Sequence, residues 1–162
     1  MIILDISTIK FNKIAFFLIT LLLIRVSGEL KFTEIHYHPI GEGLINDDEF
    51  EFIELKNIGK SRVDLTNIAF TAGIDFSFPA GTIIESGKFI ILASNFTEFQ
   101  NRYGFDPFAA YNRNLNNGGE KITLTNIATS KTLISFSYND KSPWPQATDG
   151  IGFSLVSKEI NP

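Results

Sequence analysis

The pattern of hydrophobic and polar positions after residue 29 is that of short β-strands separated by tight turns. Apolar and polar side chains alternate in segments such as Lys121–Asn126, and turn residues recur roughly every 8–12 positions, as in sandwiches and barrels. No helical pattern is long enough to connect parallel strands, so we expect antiparallel pairing. The predicted strands are Leu30–Tyr37, Phe50–Asn57, Val63–Thr71, Ile74–Phe78, Thr82–Glu85, Lys88–Ala93, Lys121–Asn126, Thr132–Tyr138 and Ile151–Ser157.

Two of these strands have patterns that predict a central position in a sheet. Lys88–Ala93 is apolar almost throughout, which is typical of a strand covered on both faces. In Phe50–Asn57, the large side chains of Phe52 and Ile53 are adjacent and therefore point to opposite faces. This second strand is expected to be buried on both sides or to contain a bulge.

One short helix is predicted between the strands. Thr97 is the expected N-cap residue, Phe99 and Tyr103 share a helix face, and Gly104 ends the helix. Taken together, the pattern predicts an all-β fold: an antiparallel β-sandwich with one short helix.

Residues 1–28 differ in composition from the rest of the chain. Lys10 and Lys13 precede the apolar run Ile14–Ile24, and the small residues Val26 and Gly28 follow it. This order is typical of a secretory signal peptide cleaved after Gly28. The apolar run is shorter than the roughly 20 residues that a spanning helix needs. An uncleaved N-terminal anchor is the competing interpretation, and either one carries the remaining chain across a membrane.

The composition predicts a domain that is stabilised by packing alone and does not bind nucleic acid. The chain has no cysteine, which excludes disulfides and thiolate metal sites, and its 16 Phe supply a large apolar area. The net charge is −4, and the leader contributes Lys10, Lys13 and Arg25 against Asp5, so the remainder carries −6. An acidic domain has no general attraction for phosphates, so we expect no nucleic-acid partner.

Several short motifs follow one another in a characteristic order over about residues 30–158. The motifs are Glu34-Ile35-His36-Tyr37-His38-Pro39, Glu49–Asn57 with Gly59, Val63-Asp64-Leu65, Phe78-Pro79-Ala80-Gly81, Phe99 with Tyr103-Gly104, Leu115–Glu120, Pro143-Trp144-Pro145 and Ser154-Leu155. Their order and spacing resemble those of the lamin tail domain family in its bacterial, exported form, although Asn67-Ile68 stands where that family usually has Gly-Trp. The resemblance implies an immunoglobulin-like sandwich without catalytic residues that serves as an accessory module of exported proteins.

The chain is expected to contain one domain behind the leader. Residues 1–28 are interpreted as the signal peptide and residues 29–162 as a lamin-tail-like sandwich. The sequence stops at Pro162, shortly after a predicted strand, which suggests that the natural polypeptide continues or that this reading frame is a fragment.

Two groups of polar residues have the composition of metal sites. Glu34, His36 and His38 alternate along a strand and would share a face, as zinc ligands could. Pro39 ends that strand and no fourth ligand is evident, so two histidines at a strand end are the preferred interpretation. The loop Asn46–Glu49 offers oxygen ligands for calcium but lacks the spacing of an EF-hand. We therefore expect no cofactor, with calcium at this loop as the remaining alternative.

Catalysis is the least favoured function. Glu51 and Glu54 are three residues apart on a strand, so they are expected to face opposite sides and not to flank one cleft as glycosidase carboxylates do. Glu54 is expected to be half-buried and to accept hydrogen bonds. The sequence has no nucleophile elbow and no phosphate-binding glycine loop, so no catalytic residue is assigned and a hydrolase is the last choice.

The only tryptophan, Trp144, lies between Pro143 and Pro145, which hold its ring in one place. A buried Trp144 would close one end of the sandwich, which is the preferred interpretation. An exposed Trp144 could form a platform with Tyr111 for a sugar or a protein surface. We therefore predict a non-catalytic structural or interaction module of a secreted or cell-surface protein, whose partner is a protein or cell-envelope component. The alternative is a carbohydrate-binding sandwich, and membrane contact is expected only through an uncleaved leader.

Overall fold

The computed structural model describes residues 29–158, so the predicted leader and the last four residues lie outside the described part. The described residues form short strands, the helix α1 (Phe96–Tyr103), and 3-10 turns at Asp47–Phe50 and Gln146–Thr148. No helix among them is both long enough and apolar enough to cross a membrane. The strands are β1 Leu30–His36, β2 Phe52–Asn57, β3 Val63–Asp64, β4 Ile68–Ala72, β5 Ile83–Ile84, β6 Phe89–Ala93, β7 Ala109–Ala110, β8 Lys121–Asn126, β9 Lys131–Ser137 and β10 Leu155–Val156.

Two sheets enclose the main core. One has the strand order β10-β1-β2-β6-β7 and the other the order β4-β8-β9, while β3 and β5 form a separate two-stranded ribbon. Side chains from both sheets meet between them, and the rings of Phe32 and Phe70 stack with centroids 5.9 Å apart. The all-β sandwich with one short helix is therefore confirmed.

Strand β2 is buried on both faces, as the adjacent Phe52 and Ile53 predicted. Ile53 belongs to the main core, whereas Phe52 packs on the other face in a second cluster with Ile91 and Phe99 of α1. β2 pairs with β1 on one side and with β6 on the other, so it lies inside the larger sheet. The prediction of a central position for β6 is also confirmed, because β6 lies between β2 and β7.

The predicted strand Val63–Thr71 is wrong as a single element. It is divided into β3 and β4 by Asn67, whose backbone has a φ of 61°, a value that strands do not allow. Before it, the Thr66 amide donates to the Asp64 carboxylate at 2.8 Å and closes a local turn. The turn chemistry of Asp and Asn therefore overrides the apolar pattern.

Three other predicted strands are reduced or absent. The predicted strand Thr82–Glu85 is limited to Ile83–Ile84. The segment Ile74–Phe78 makes only isolated bridges, between Ala69 and Ser77 and between Asp75 and Asn112. The last strand is limited to Leu155–Val156, because Gly150 and Gly152 adopt positive φ values of 75° and 94°.

The expectation of purely antiparallel pairing is wrong at one edge. Strand β7 runs parallel to β6, with Leu92 opposite Ala109 and Ala93 opposite Ala110. The eight-residue helix α1 lies between them in sequence, so one short helix with its flanking loops is enough for this crossover.

The N-cap of helix α1 lies two residues earlier than predicted. The side chain of Asn95, not Thr97, accepts hydrogen bonds from the amides of Thr97 and Glu98 at 2.9 and 3.2 Å. Gly104 ends the helix with a φ of 78°, as predicted. Phe99 and Tyr103 also share a face, with ring centroids 4.6 Å apart.

Replacing the cap residue should weaken this end of the domain. We expect Asn95→Ala to lower the free energy of unfolding by about 1 kcal/mol, because two amides lose their acceptor. The Asn95 amide also donates to Glu49 at 2.7 Å, and that bond is lost as well. Urea denaturation measures the change. Thr97→Ala is the control, and a loss as large for Thr97 as for Asn95 would contradict the assignment of the cap.

Candidate interaction site

Glu51 is part of the core and does not face solvent. Its side chain has no exposed surface, and one carboxyl oxygen accepts hydrogen bonds from the Tyr111 hydroxyl at 3.1 Å and the Leu115 amide at 2.9 Å. The other oxygen has no protein partner. Burial raises the pKa of Glu51 to about 8, so the group is largely protonated at neutral pH. Glu51 thus holds the segment of Tyr111 and Leu115 against the start of β2.

Glu54 lies apart from Glu51 and has a different partner. Its carboxylate accepts a hydrogen bond from the hydroxyl of Thr33 on the neighbouring strand β1. The prediction that Glu54 is partly buried and accepts a hydrogen bond is confirmed, since its side chain has intermediate exposure. The two carboxyls therefore contact different parts of the fold.

His36 is buried against aromatic rings. Its side chain is 4% exposed and packs edge to face with Phe52, while its Nδ1 lies 3.3 Å from the hydroxyl of Tyr103. Its Nε2 has no protein partner. Desolvation lowers the pKa of His36 to about 4, with a smaller effect from the charge of Arg102, so the ring is neutral at physiological pH.

His38 and Glu34 do not join His36 in a metal site. The Nδ1 of His38 lies 2.7 Å from Asp149 and its Nε2 lies 3.3 Å from Asp47. Glu34 instead accepts a hydrogen bond from the hydroxyl of Ser154. No group of three imidazoles or carboxylates suited to a metal ion occurs within residues 29–158.

The acidic loop Asn46–Glu49 is likewise tied to the surrounding structure. Asp47 contacts His38, and Glu49 accepts a hydrogen bond from Asn95 at 2.7 Å. These two carboxylates therefore point to different partners. The loop thus links the end of β1 and the start of α1.

Tyr111 does not belong to an exposed platform. It is 4% exposed, and its hydroxyl donates to Glu51 inside the core. Burial raises the pKa of Tyr111 well above its ordinary value, so the phenol stays protonated. The predicted pairing of Tyr111 with Trp144 at the surface is therefore wrong. The hydrogen bond to the buried carboxyl of Glu51 stabilises the phenol inside the core. Glu51 is 60 residues away in sequence, so the local pattern around Tyr111 does not predict this contact.

Trp144 is partly buried at the edge of the main core. Its ring meets Phe136 of β9 edge to face, with centroids 5.9 Å apart. Its backbone amide donates to the carbonyl of Lys141 at 3.0 Å, which fixes the loop that carries it. The ring therefore fills part of the sandwich and also borders an open space.

That open space is a cleft between the edge strands of the two sheets. It encloses about 580 Å³ and is bordered by β1 and β10 on one side and by β9 with the Trp144 loop on the other. We refer to it as the β9–β10 cleft. Its apolar walls are formed by Phe32, Ile35, Ile134, Phe136, Trp144 and Leu155.

Trp144 is the one residue of this cleft that sequence analysis singles out as a candidate for an interaction surface. Ile134 and Phe136 alternate with polar residues in β9 and therefore share a face. That pattern does not reveal that the facing strand, β10, is only two residues long. The opening depends on where two distant strands end, so only the fold shows it.

Comparison with known proteins identifies a family. The family model described as Lamin Tail Domain matches residues 25–140, which include the larger part of the sandwich. No curated protein and no solved structure matches the chain. The family consists of non-enzymatic, immunoglobulin-like domains, in agreement with the two-sheet architecture described above. The chain therefore belongs to the lamin tail domain family.

Proposed function

We propose that the chain is a non-catalytic structural or interaction module of a secreted or cell-surface protein, and that it acts as an accessory domain of a larger exported protein. The family match over residues 25–140 is the observation that carries this proposal. The positions of the reactive side chains support it. Glu51 and His36 are both buried and both contact core residues, so neither is presented to a substrate.

The exported location rests on the order of residues in the leader. Basic residues, an apolar run and small residues follow one another before Glu29, the first residue of the described domain. The lack of cysteine is compatible with this location, because the core of the sandwich needs no crosslink.

Export of the full chain, tagged at its C-terminus, tests this proposal. We expect a bacterial host to place the chain outside the cytoplasm with a new N-terminus at Glu29, as found by cell fractionation and mass spectrometry. Leu22→Arg interrupts the apolar run and should leave the chain uncleaved in the cytoplasm. Ile83→Arg is the matched control, because Ile83 is 42% exposed in the domain and its replacement should not affect export.

A wild-type chain that stays in the cytoplasm with its leader intact would contradict the exported location. An uncleaved chain in the membrane fraction, with its domain accessible to external protease, would show that residues 1–28 are an N-terminal anchor and not a cleaved signal peptide. The location at the cell surface would then still stand.

A further inference from the structure

We propose that the β9–β10 cleft is the docking site for an extended peptide segment of a partner protein, one with apolar side chains at alternate positions and at least one carboxylate. This inference rests on the proposed role as an interaction module and specifies its surface and its type of partner.

The first argument is that two strand edges border the cleft. β9 is an edge strand of the three-stranded sheet, and β10 is an edge strand of the five-stranded sheet. β10 pairs with β1 at Glu34 and Ile35, and the Ser157 amide donates to the Thr33 carbonyl at 2.9 Å, whereas β2 pairs with β1 from Leu30 to His36. Within residues 29–158, part of β1 therefore has no strand on its β10 side. Such edges offer backbone donors and acceptors to an added strand.

The second argument is the chemistry of the walls. Ile134 and Phe136 of β9 face Phe32 and Leu155 across the cleft, and Trp144 lies at its border. A volume of about 580 Å³ is within the range of roughly 300–1,000 Å³ typical of binding pockets. A β-strand places every second side chain on one face, so its alternate apolar residues would fill this space.

The third argument is charge. Lys158 is exposed on the lining of the cleft. The acidic residue on the lining, Glu34, already accepts a hydrogen bond from Ser154. The cleft thus offers an exposed ammonium group on a domain whose overall charge is negative, and this group complements a carboxylate of the peptide.

The same observations favour a peptide over a sugar. Carbohydrate recognition needs several polar side chains around the aromatic ring, because each sugar hydroxyl must find a partner. The polar side chains along this lining are the hydroxyls of Thr33, Ser135 and Ser157 and the charged groups of Lys31, Glu34 and Lys158, and those of Thr33 and Glu34 already hydrogen-bond within the domain. Trp144 is partly buried and meets Phe136 edge to face, so part of its ring is already covered.

Selection from a peptide library tests the proposal. Random peptides of about ten residues, long enough for one strand, would be displayed on phage and selected on the immobilised full chain. Synthetic copies without tryptophan would then be titrated, and the fluorescence of Trp144, the only tryptophan, would report binding. We expect the selected peptides to alternate apolar and polar residues, to contain Asp or Glu, and to shift the emission to the blue.

Matched variants locate the binding site. Ile134→Thr should weaken binding by about tenfold or more, while Leu133→Thr should leave the Kd within about twofold, because Leu133 does not line the cleft and is 39% exposed. Lys158→Glu alters an exposed residue and so keeps the fold, and it should also weaken binding. Lys131→Glu, exposed on β9 outside the cleft, is its control.

Several results would overturn the proposal. One is a selection that enriches no peptide. Another is a set of peptides that bind the Ile134→Thr variant with the same affinity as the wild type. A third is the binding of immobilised glycans, and not of peptides, at Trp144. A dimer in sedimentation that Ile134→Thr converts to a monomer would assign the cleft to a second copy of this chain. Peptides that bind at another surface would rule out the cleft as the binding site but would still agree with the proposed interaction module. The export experiment is independent of all these results.

Discussion

Replacing Glu51 with glutamine is expected to make the protein more resistant to alkaline unfolding. The pKa of the buried carboxyl is about 8, against an ordinary value of 4.5. The folded state therefore holds a proton that the unfolded state releases, and this contribution to stability is complete below pH 4.5 and lost as the pH rises through 8. The loss is on the order of 5 kcal/mol, a large fraction of the stability of a domain.

Glutamine resembles the protonated acid and does not ionise. We therefore expect Glu51→Gln to have a free energy of unfolding close to that of wild type near about pH 5 and several kcal/mol higher near about pH 9. Urea denaturation at a series of pH values measures both curves. Glu85→Gln, at an exposed position, should follow the wild-type curve. A constant difference between Glu51→Gln and wild type across this range would show that the carboxyl is not buried as described.

His36 has the opposite effect on the acidic side. Its pKa falls from 6.5 to about 4 in the folded state, so the unfolded state binds the proton more readily. Its contribution is complete above pH 6.5 and is lost as the pH falls through 4. The contributions of His36 and Glu51 oppose each other between pH 4.5 and 6.5, so from these two groups alone the wild-type protein should be most stable in that interval.

Truncation of Phe52 is expected to cause the second large effect. Phe52 is 6% exposed and meets the rings of His36, Phe99 and Tyr103 edge to face, each with centroids 5.5 Å apart. Phe52→Ala would leave a cavity between β2 and α1, and such changes cost about 3–5 kcal/mol.

Thermal and urea unfolding would measure this loss. Phe153→Ala is the control, because Phe153 is 63% exposed and its truncation should change the free energy of unfolding by less than about 0.5 kcal/mol. A similar small change for Phe52 would mean that α1 does not pack on the outer face of the larger sheet.

Local patterns predicted the elements whose burial follows from their own periodicity. The adjacent Phe52 and Ile53 were enough to predict that β2 has two buried faces, and the structure places one residue in each hydrophobic cluster. Gly104 was likewise sufficient to predict the end of α1, because its φ of 78° suits glycine.

Features that depend on distant contacts could not be predicted in this way. Tyr111 follows a loop pattern, yet it is buried because Glu51, 60 residues earlier, accepts its hydrogen bond. Asn67 interrupts a segment that is otherwise apolar enough for one strand. The β9–β10 cleft arises because β10 ends after two residues beside a longer neighbour.

The raised pKa of Glu51 has to be distinguished from that of a catalytic acid. Perturbed pKa values often mark active sites. Glu51 differs from such a group because its side chain has no exposed surface, and its partners are the core residues Tyr111 and Leu115. A substrate would not reach its carboxyl without opening the sandwich.

Chemical labelling of carboxylates tests most directly whether the reactive groups serve the fold and not a reaction. The native full chain would be treated with a water-soluble carbodiimide and an amine, and the modified residues would be identified by mass spectrometry. The structure predicts that the exposed Glu85 is labelled and that the buried Glu51 is protected until the protein unfolds. Labelling of Glu51 in the native protein at the rate of Glu85 would place its carboxyl in solvent and contradict the account.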